Sequence, residues 1–195
     1  MIPKIIHQTW KTKDVPKITI PWIESWKRLN PDWEYRFWTD EDNLKLCQEE
    51  FPELLYIYTS YQFDIQRADV ARYMILYQHG GLYADIDTEC FRPVDALFKN
   101  VSIGLFKWLD IITNYIISAK PKMQFFMLVL NSLNEHFIKS NKSANMISTV
   151  INTTGPGFLY SCYVDYRHKI ELLDIHPYLD HYGLTTWNRG NFARN

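Results

Sequence analysis

A chain of 195 residues that is 47% hydrophobic and 16% aromatic can bury a substantial core, and no Pro/Gly/Ser-rich linker divides it, so residues 1–195 read as one domain. Its formal net charge of -1 and its scattered Lys and Arg residues exclude the basic stripe or tail of a nucleic-acid binder. Cys47, Cys90 and Cys162 lack the paired spacing of a zinc site or disulfide framework, and suit a reducing compartment as buried thiols.

The opening "MIPKIIHQTW" has too short an apolar run for a signal peptide, and no later segment is long enough to span a bilayer. A soluble, cytoplasmic chain is the expectation, with a longer membrane-anchored parent left open. In chain order, "KIIHQ" predicts a strand, "PWIESWKRL" a helix entered through proline, and "WEYRFW" a second strand. "TDEDNLKLCQEEF" predicts a helix with Thr39 or Asp40 as N-cap and acidic residues in the first turn, where they complement the helix dipole. A longer helix is expected over "DIQRADVARYMILYQHGG", ended by Gly80 in a left-handed conformation. "LYADI" then predicts a short strand closing at Asp85 and Asp87. Further strands are expected at "VSIGLFKW", "IITNYIIS" and "IELLDI", and helices at "MQFFMLVLNSLNEHFIK", "ANMISTVIN" and "GFLYSCYVDYRHK". The alternation predicts an α/β fold, a sheet covered by helices with ligands gathered beyond the carboxyl ends of strands.

Missing motifs narrow the chemistry. No Gly-x-Gly-x-x-Gly follows the first strand, and there is neither a phosphate-cradling Lys-Ser/Thr loop nor a Gly-x-Ser-x-Gly turn, which disfavours dinucleotide oxidoreductases, P-loop enzymes and α/β-hydrolases. In extended backbone, side chains i and i+2 share a face, so Asp85 and Asp87 are expected to aim at one point while Ile86 turns to the core. Two carboxylates held together repel unless something positive lies between them. A hard cation such as Mg²⁺ or Mn²⁺ suits such ligands and leaves positions for water and a substrate diphosphate. The plain alternative is a solvated loop, where Asp-x-Asp is common.

Asp69 and Arg72 share one face of the preceding helix, either as an ordinary surface ion pair or as a fork for phosphate and sugar oxygens beside a hydrogen-bond acceptor. Trp10, just past the first strand, could stack on a nucleobase or serve the core, and His7 and His181 could each be a ligand or a satisfied histidine.

The stretches "IPKIIHQTWK", "NPDWEYRFWTDED", "FDIQRADVARYMILYQHGGLYADIDTECFRPVDALF" and "TGPGF" resemble the DXD glycosyltransferases. That family includes fungal initiating α-1,6-mannosyltransferases, capsular polysaccharide sugar transferases and α-1,4-galactosyl or N-acetylglucosaminyl transferases, and more distantly the large clostridial glucosylating toxins. The resemblance covers most of residues 2–98. It implies a GT-A fold, Rossmann-like with a mixed central sheet. It also implies a retaining, metal-dependent transfer of a hexosyl or N-acetylhexosaminyl unit from a UDP- or GDP-sugar to a glycan, lipid or protein acceptor. Residues 1–98 would bind nucleotide-sugar and metal, and residues 99–195 would form the acceptor side and closing segment. Carried over by position, it implies catalytic roles for Asp69, Arg72, Asp85 and Asp87, and Mn²⁺ (or Mg²⁺) ligation by Asp85, Asp87 and His181. The implied nucleotide-sugar contacts are His7, Gln8, Thr9, Trp10, Tyr83, Asn114, Thr186 and Trp187. The chain departs from the family at Lys122-Met123-Gln124, where many members have a His-Pro pair, and at "HYGLTTW", where they close with histidine and then Gly-Ser-Trp. Two other readings use the same residues: a glycoside hydrolase with paired carboxylates flanking its bond, and a non-catalytic nucleotide- or sugar-binding module.

Overall fold

The computed structural model describes residues 1–108, 111–140, 145–167, 170–174 and 178–183. In chain order the elements are β1 (Ile5–Thr9), α1 (Ile20–Leu29), β2 (Glu34–Trp38), α2 (Asp40–Glu50), α3 (Leu55–Ser60), α4 (Asp64–His79), β3 (Gly81–Ala84) and β4 (Thr88–Cys90). They continue as β5 (Ile103–Trp108), β6 (Ile111–Ala119), α5 (Gln124–Ser140), α6 (Met146–Thr153), α7 (Pro156–Tyr166), β7 (Glu171–Asp174) and β8 (Leu179–His181). Six strands form a mixed sheet in the order β2-β1-β3-β6-β5-β7, in which β1 runs parallel to β2 and β3 while β6 runs antiparallel to β3 and β5. This is the expected α/β class with a mixed sheet.

Side-chain alternation divides the core. Tyr83, Leu105 and Ile117 point toward α4, α5 and α7, among Met74, Phe125, Phe126 and Phe158, whereas Leu82, Phe106 and Ile116 face Trp26 of α1 with Val94 and Phe98. With both faces covered, the central strands read as nearly continuous apolar runs. The Thr39 cap forms in full: its Oγ1 accepts from Asp42 N–H at 3.2 Å and the Asp42 carboxylate accepts from Thr39 N–H at 2.9 Å. Cys47, Cys90 and Cys162 are buried free thiols. Among the described residues, no helix is long and apolar enough to cross a membrane.

Three details differ from the sequence-based expectation. Gly80 ends α4 with φ 66 and ψ -160, an extended backbone with positive φ rather than a left-handed helical one, and a region open in practice to glycine alone. Gly81 follows at φ 96, and a Cβ there would stand 2.6 Å from the Ile5 carbonyl oxygen, so the pair lets β3 start flush against β1. Second, β3 stops at Ala84, which leaves both aspartates of the motif beyond the strand. Third, α3, β4 and β8 were not expected. The two strands are only three residues long and pair with each other across the chain, so neither carries a readable period of its own.

His7 ties these pieces together. Its Nε2–H donates to the Gly80 carbonyl at 2.9 Å and its Nδ1 accepts from Trp38 Nε1–H at 3.1 Å, a partner set that requires the neutral ring. Burial pushes its pKa down to about 3, with nearby His79 and Arg36 adding to the effect. The folded pKa lies below the unfolded one, so the unfolded chain takes up the proton first as pH falls. The contribution is therefore complete above about pH 6.5 and declines toward pH 3, by at most about 1.4 kcal/mol per pH unit. His7→Gln, which cannot titrate, should flatten the pH dependence of unfolding free energy between about pH 6 and 4.5 by close to that slope, as read from denaturant titrations.

Candidate functional site

The site lies past the carboxyl ends of β1, β2 and β3. Asp85 N–H donates to the Tyr115 carbonyl of β6 at 2.8 Å, and the Asp85 carbonyl accepts from Gln8 Nε2 at 3.1 Å, Thr88 N–H at 3.1 Å and Thr88 Oγ1 at 2.6 Å. A tight turn from Asp85 to Thr88, rather than extended backbone, therefore brings the two carboxylates together. Ile86 does point into the core, at 4% exposure. The far side of the turn is fixed by Trp26 Nε1–H, which donates to both oxygens of Thr88 at 3.0 and 3.1 Å.

Beneath the turn lies a buried ionic cluster. Arg72 Nη2 sits 3.1 Å from Asp69 Oδ1 and 3.3 Å from Asp85 Oδ1, Nη1 donates to the Asn114 carbonyl, and Nε donates to the Ala68 carbonyl at 3.4 Å. Every guanidinium nitrogen thus has a protein partner, and the guanidinium lies 4.7 Å over the Tyr83 ring. Asp69 also accepts from Asn114 Nδ2 at 2.8 Å and Thr154 Oγ1 at 2.9 Å, while Tyr83 O–H donates to Asp85 Oδ1 at 2.8 Å. The Arg72 and Asp69 side chains are 2% and 4% exposed, which rules out an ordinary surface ion pair. Burial raises the pKa of both Asp69 and Asp85, opposed by the Arg72 charge, and the neighbouring Asp87 pushes Asp85 further up. Arg72 contacts two of the three carboxylates gathered here, Asp69 and Asp85, and the Asp87 charge lies beside Asp85.

His181 comes to that charge from the end of the described chain. The β4–β8 ladder sets it opposite Thr88, Tyr182 N–H donates to the Asp87 carbonyl at 3.0 Å, and His181 Nε2 stands 3.4 Å from Asp87 Oδ1. Burial disfavours its charged form, but the Asp87 hydrogen bond and the charges of Asp87 and Asp85 prevail and raise its pKa. Ligand atoms of Asp85, Asp87 and His181 lie within 4.8 Å of one another, close enough for one cation to reach all three. Two partly exposed carboxylates and an imidazole fit a divalent ion by donor chemistry.

The remaining sequence-derived candidates fall into three groups. Gln8 orients the turn and accepts from Tyr35 O–H at 2.7 Å, while Asn114 and Tyr83 belong to the ionic cluster. His7, fully buried with both ring nitrogens engaged, and Thr9, which donates to the Trp38 carbonyl and accepts from Asn43, support the strand ends from within. Trp10 is half-buried one residue past β1, and Thr186 and Trp187 lie outside the described residues. Sequence reasoning missed Thr154 and Tyr115. Thr154 opens the quoted "TGPGF", and Tyr115 follows Asn114, but neither carries a local signal of its role.

Comparison with known proteins agrees with this geometry. Residues 16–103 match the family model described as a glycosyltransferase sugar-binding region containing a DXD motif. Mannosyl phosphorylinositol ceramide synthase CSH1 of Saccharomyces cerevisiae is 37% identical over 168 residues, covering 86% of this chain and 44% of that protein. Inositol phosphoceramide mannosyltransferase 3 of Schizosaccharomyces pombe is 37% identical over 163 residues, covering 81% and 44%. The chain thus spans less than half the length of these relatives. Among solved structures, the UDP-bound glycosyltransferase domain from the YGT toxin superposes with a TM-score of 0.64 at 11% identity, covering 97% of this chain and 82% of that one. The catalytic domain of alpha-toxin from Clostridium novyi gives 0.59 at 10% identity, covering 87% and 74%. At such low identity these two establish the fold, which is GT-A. Residues 16–103, which contain the motif-bearing turn, thus match the glycosyltransferase sugar-binding region containing a DXD motif, in a chain that is similar to mannosyltransferases over more than four fifths of its length.

Proposed function

We propose that the protein transfers a hexose, mannose in the first instance, from a UDP- or GDP-linked donor to a hydroxyl of a lipid-linked acceptor, with retention of anomeric configuration. The observation that carries this reading is the convergence of Asp85, Asp87 and His181 directly above the Asp69–Arg72 cluster. The choice of mannose and of a lipid acceptor follows the relatives, whose names specify inositol phosphoceramide mannosylation.

Asp85, Asp87 and His181 would hold the cation, and one imidazole among oxygen ligands favours Mn²⁺ over Mg²⁺. When bound, the ion supplies Lewis-acid stabilisation of the charge on a departing diphosphate. Arg72 adds a fixed positive charge in a water-poor site, where such a charge acts without reorganising. Its nitrogens are occupied, so it works as an electrostatic support and as the brace of Asp85 rather than as an open phosphate clamp. Asp69, with both carboxylate oxygens hydrogen-bonded inside the protein, is not poised as a nucleophile. That supports acceptor attack on the leaving-group face of the donor rather than a covalent intermediate.

Incubation with Mn²⁺ and a panel of UDP- and GDP-linked hexoses and N-acetylhexosamines, with release of nucleoside diphosphate as readout, tests the proposal. Turnover with a mannose donor, and a product whose anomeric centre keeps the donor configuration by NMR, is expected. Binding with no turnover toward any acceptor would favour the non-catalytic module. Sugar release from glycosides without a nucleotide would favour the hydrolase.

A further inference from the structure

Tyr115 of β6 touches the candidate cation ligands twice. Its carbonyl accepts from Asp85 N–H at 2.8 Å, and its ring lies face to face on the His181 imidazole, with centroids 4.0 Å apart and planes 9° from parallel. The preceding residue, Asn114, binds Asp69 through its amide and Arg72 through its carbonyl. Two consecutive residues of one strand therefore set four members of the site.

His181 needs an external hold. It sits on β8, a three-residue strand paired to the equally short β4, and an isolated two-stranded ribbon is marginal by itself. The contacts of Tyr182, a 2.6 Å hydrogen bond to Glu89 and a stack on Trp22 with centroids 4.4 Å apart, secure the strand's end but leave the torsions of the imidazole unconstrained. A face-on contact restricts those torsions, because the ring can turn only by losing the stack.

We propose that Tyr115 is a positioning residue for the cation: its ring holds the His181 imidazole in the orientation that presents Nε2 beside Asp85 and Asp87. This rests on the metal reading given above. Partners that orient a ligating histidine commonly matter ten- to a hundredfold, roughly, for metal affinity.

The test is Mn²⁺ affinity by electron paramagnetic resonance, without donor or turnover, for wild type, Tyr115→Phe, Tyr115→Ala, His181→Ala and the Tyr115→Ala/His181→Ala double variant. Tyr115→Ala should weaken binding roughly tenfold or more, and Tyr115→Phe, which keeps the stack, should stay within about twofold of wild type. In the His181→Ala background, removing the Tyr115 ring should change affinity by less than about twofold, because the path through the imidazole is already gone. The His181 ring protons should be shifted upfield in wild type and Tyr115→Phe, and released in Tyr115→Ala. If Tyr115→Ala does not fold, Tyr115→Leu replaces it, keeping bulk without an aromatic face. Equal affinity in wild type and Tyr115→Ala, or an equal loss with and without His181, would overturn this role while leaving the metal site standing. Failure of wild type to bind Mn²⁺ would remove both.

Discussion

Asp87→Asn is expected to lower turnover by roughly a thousandfold or more and to abolish measurable Mn²⁺ binding, with little change in melting temperature. The side chain is 13% exposed, and the Asp87 carbonyl that receives Tyr182 N–H is untouched by the substitution. Asparagine also keeps the shape while removing a charge that repels Asp85, so the pKa of Asp85 should move back toward the ordinary carboxylate range. A loss of activity with preserved thermal stability separates a ligand from a structural residue. Undiminished turnover would remove Asp87 from the site.

Arg72→Met is the complementary case, in which stability and activity should fall together. Arg72 is the only cation among the described residues with contacts to both Asp69 and Asp85, and its 2% exposed side chain leaves water no access to replace it. Removing one partner of such a buried cluster leaves uncompensated carboxylates and costs about 3 to 5 kcal/mol. In a chain of this size that corresponds to a melting temperature lowered by roughly 10 °C. Adding Asp69→Asn should recover part of the loss, since the neutral amide no longer needs the guanidinium; the cycle is read from denaturant titrations. Arg72→Lys should behave more like the loss than like wild type, because an ammonium cannot span the Asn114 carbonyl and both carboxylates as the planar fork does. A melting temperature within a degree or two of wild type for Arg72→Met would contradict the ionic account.

The parts of this site that were legible in the sequence are those written in local chemistry. Thr39 and Asp42 announce their helix start because the reciprocal bonds of the cap lie within four residues, and the Gly80-Gly81 pair announces a sharp exit because other residues avoid positive φ. The Asp-x-Asp pair was legible as a candidate site. Its geometry was not, since the turn that gathers the carboxylates is set by Tyr115, Gln8 and Trp26, all distant in sequence. His7 carries the pattern of a ligand but spends both nitrogens on Gly80 and Trp38, a use that only the register of β1 against β2 and β3 reveals. The same holds for the Arg72 fork, whose nitrogens are consumed by partners from α4 and β6. The β4–β8 ladder, which delivers His181, joins segments about ninety positions apart through three residue pairs and leaves no periodic trace.

Under the proposed function, a divalent ion held by Asp85, Asp87 and His181 would join the protein to the diphosphate of its sugar donor. Calorimetric titration of UDP and GDP into the wild-type protein, with Mn²⁺ and then with the metal chelated, tests it most directly. The ion should tighten the preferred nucleotide by roughly tenfold or more, the nucleotide should tighten the ion by the same factor, and Asp87→Asn should abolish the coupling. Nucleotide affinity that is the same with Mn²⁺ and with chelator would mean that no such ion links the protein to its donor.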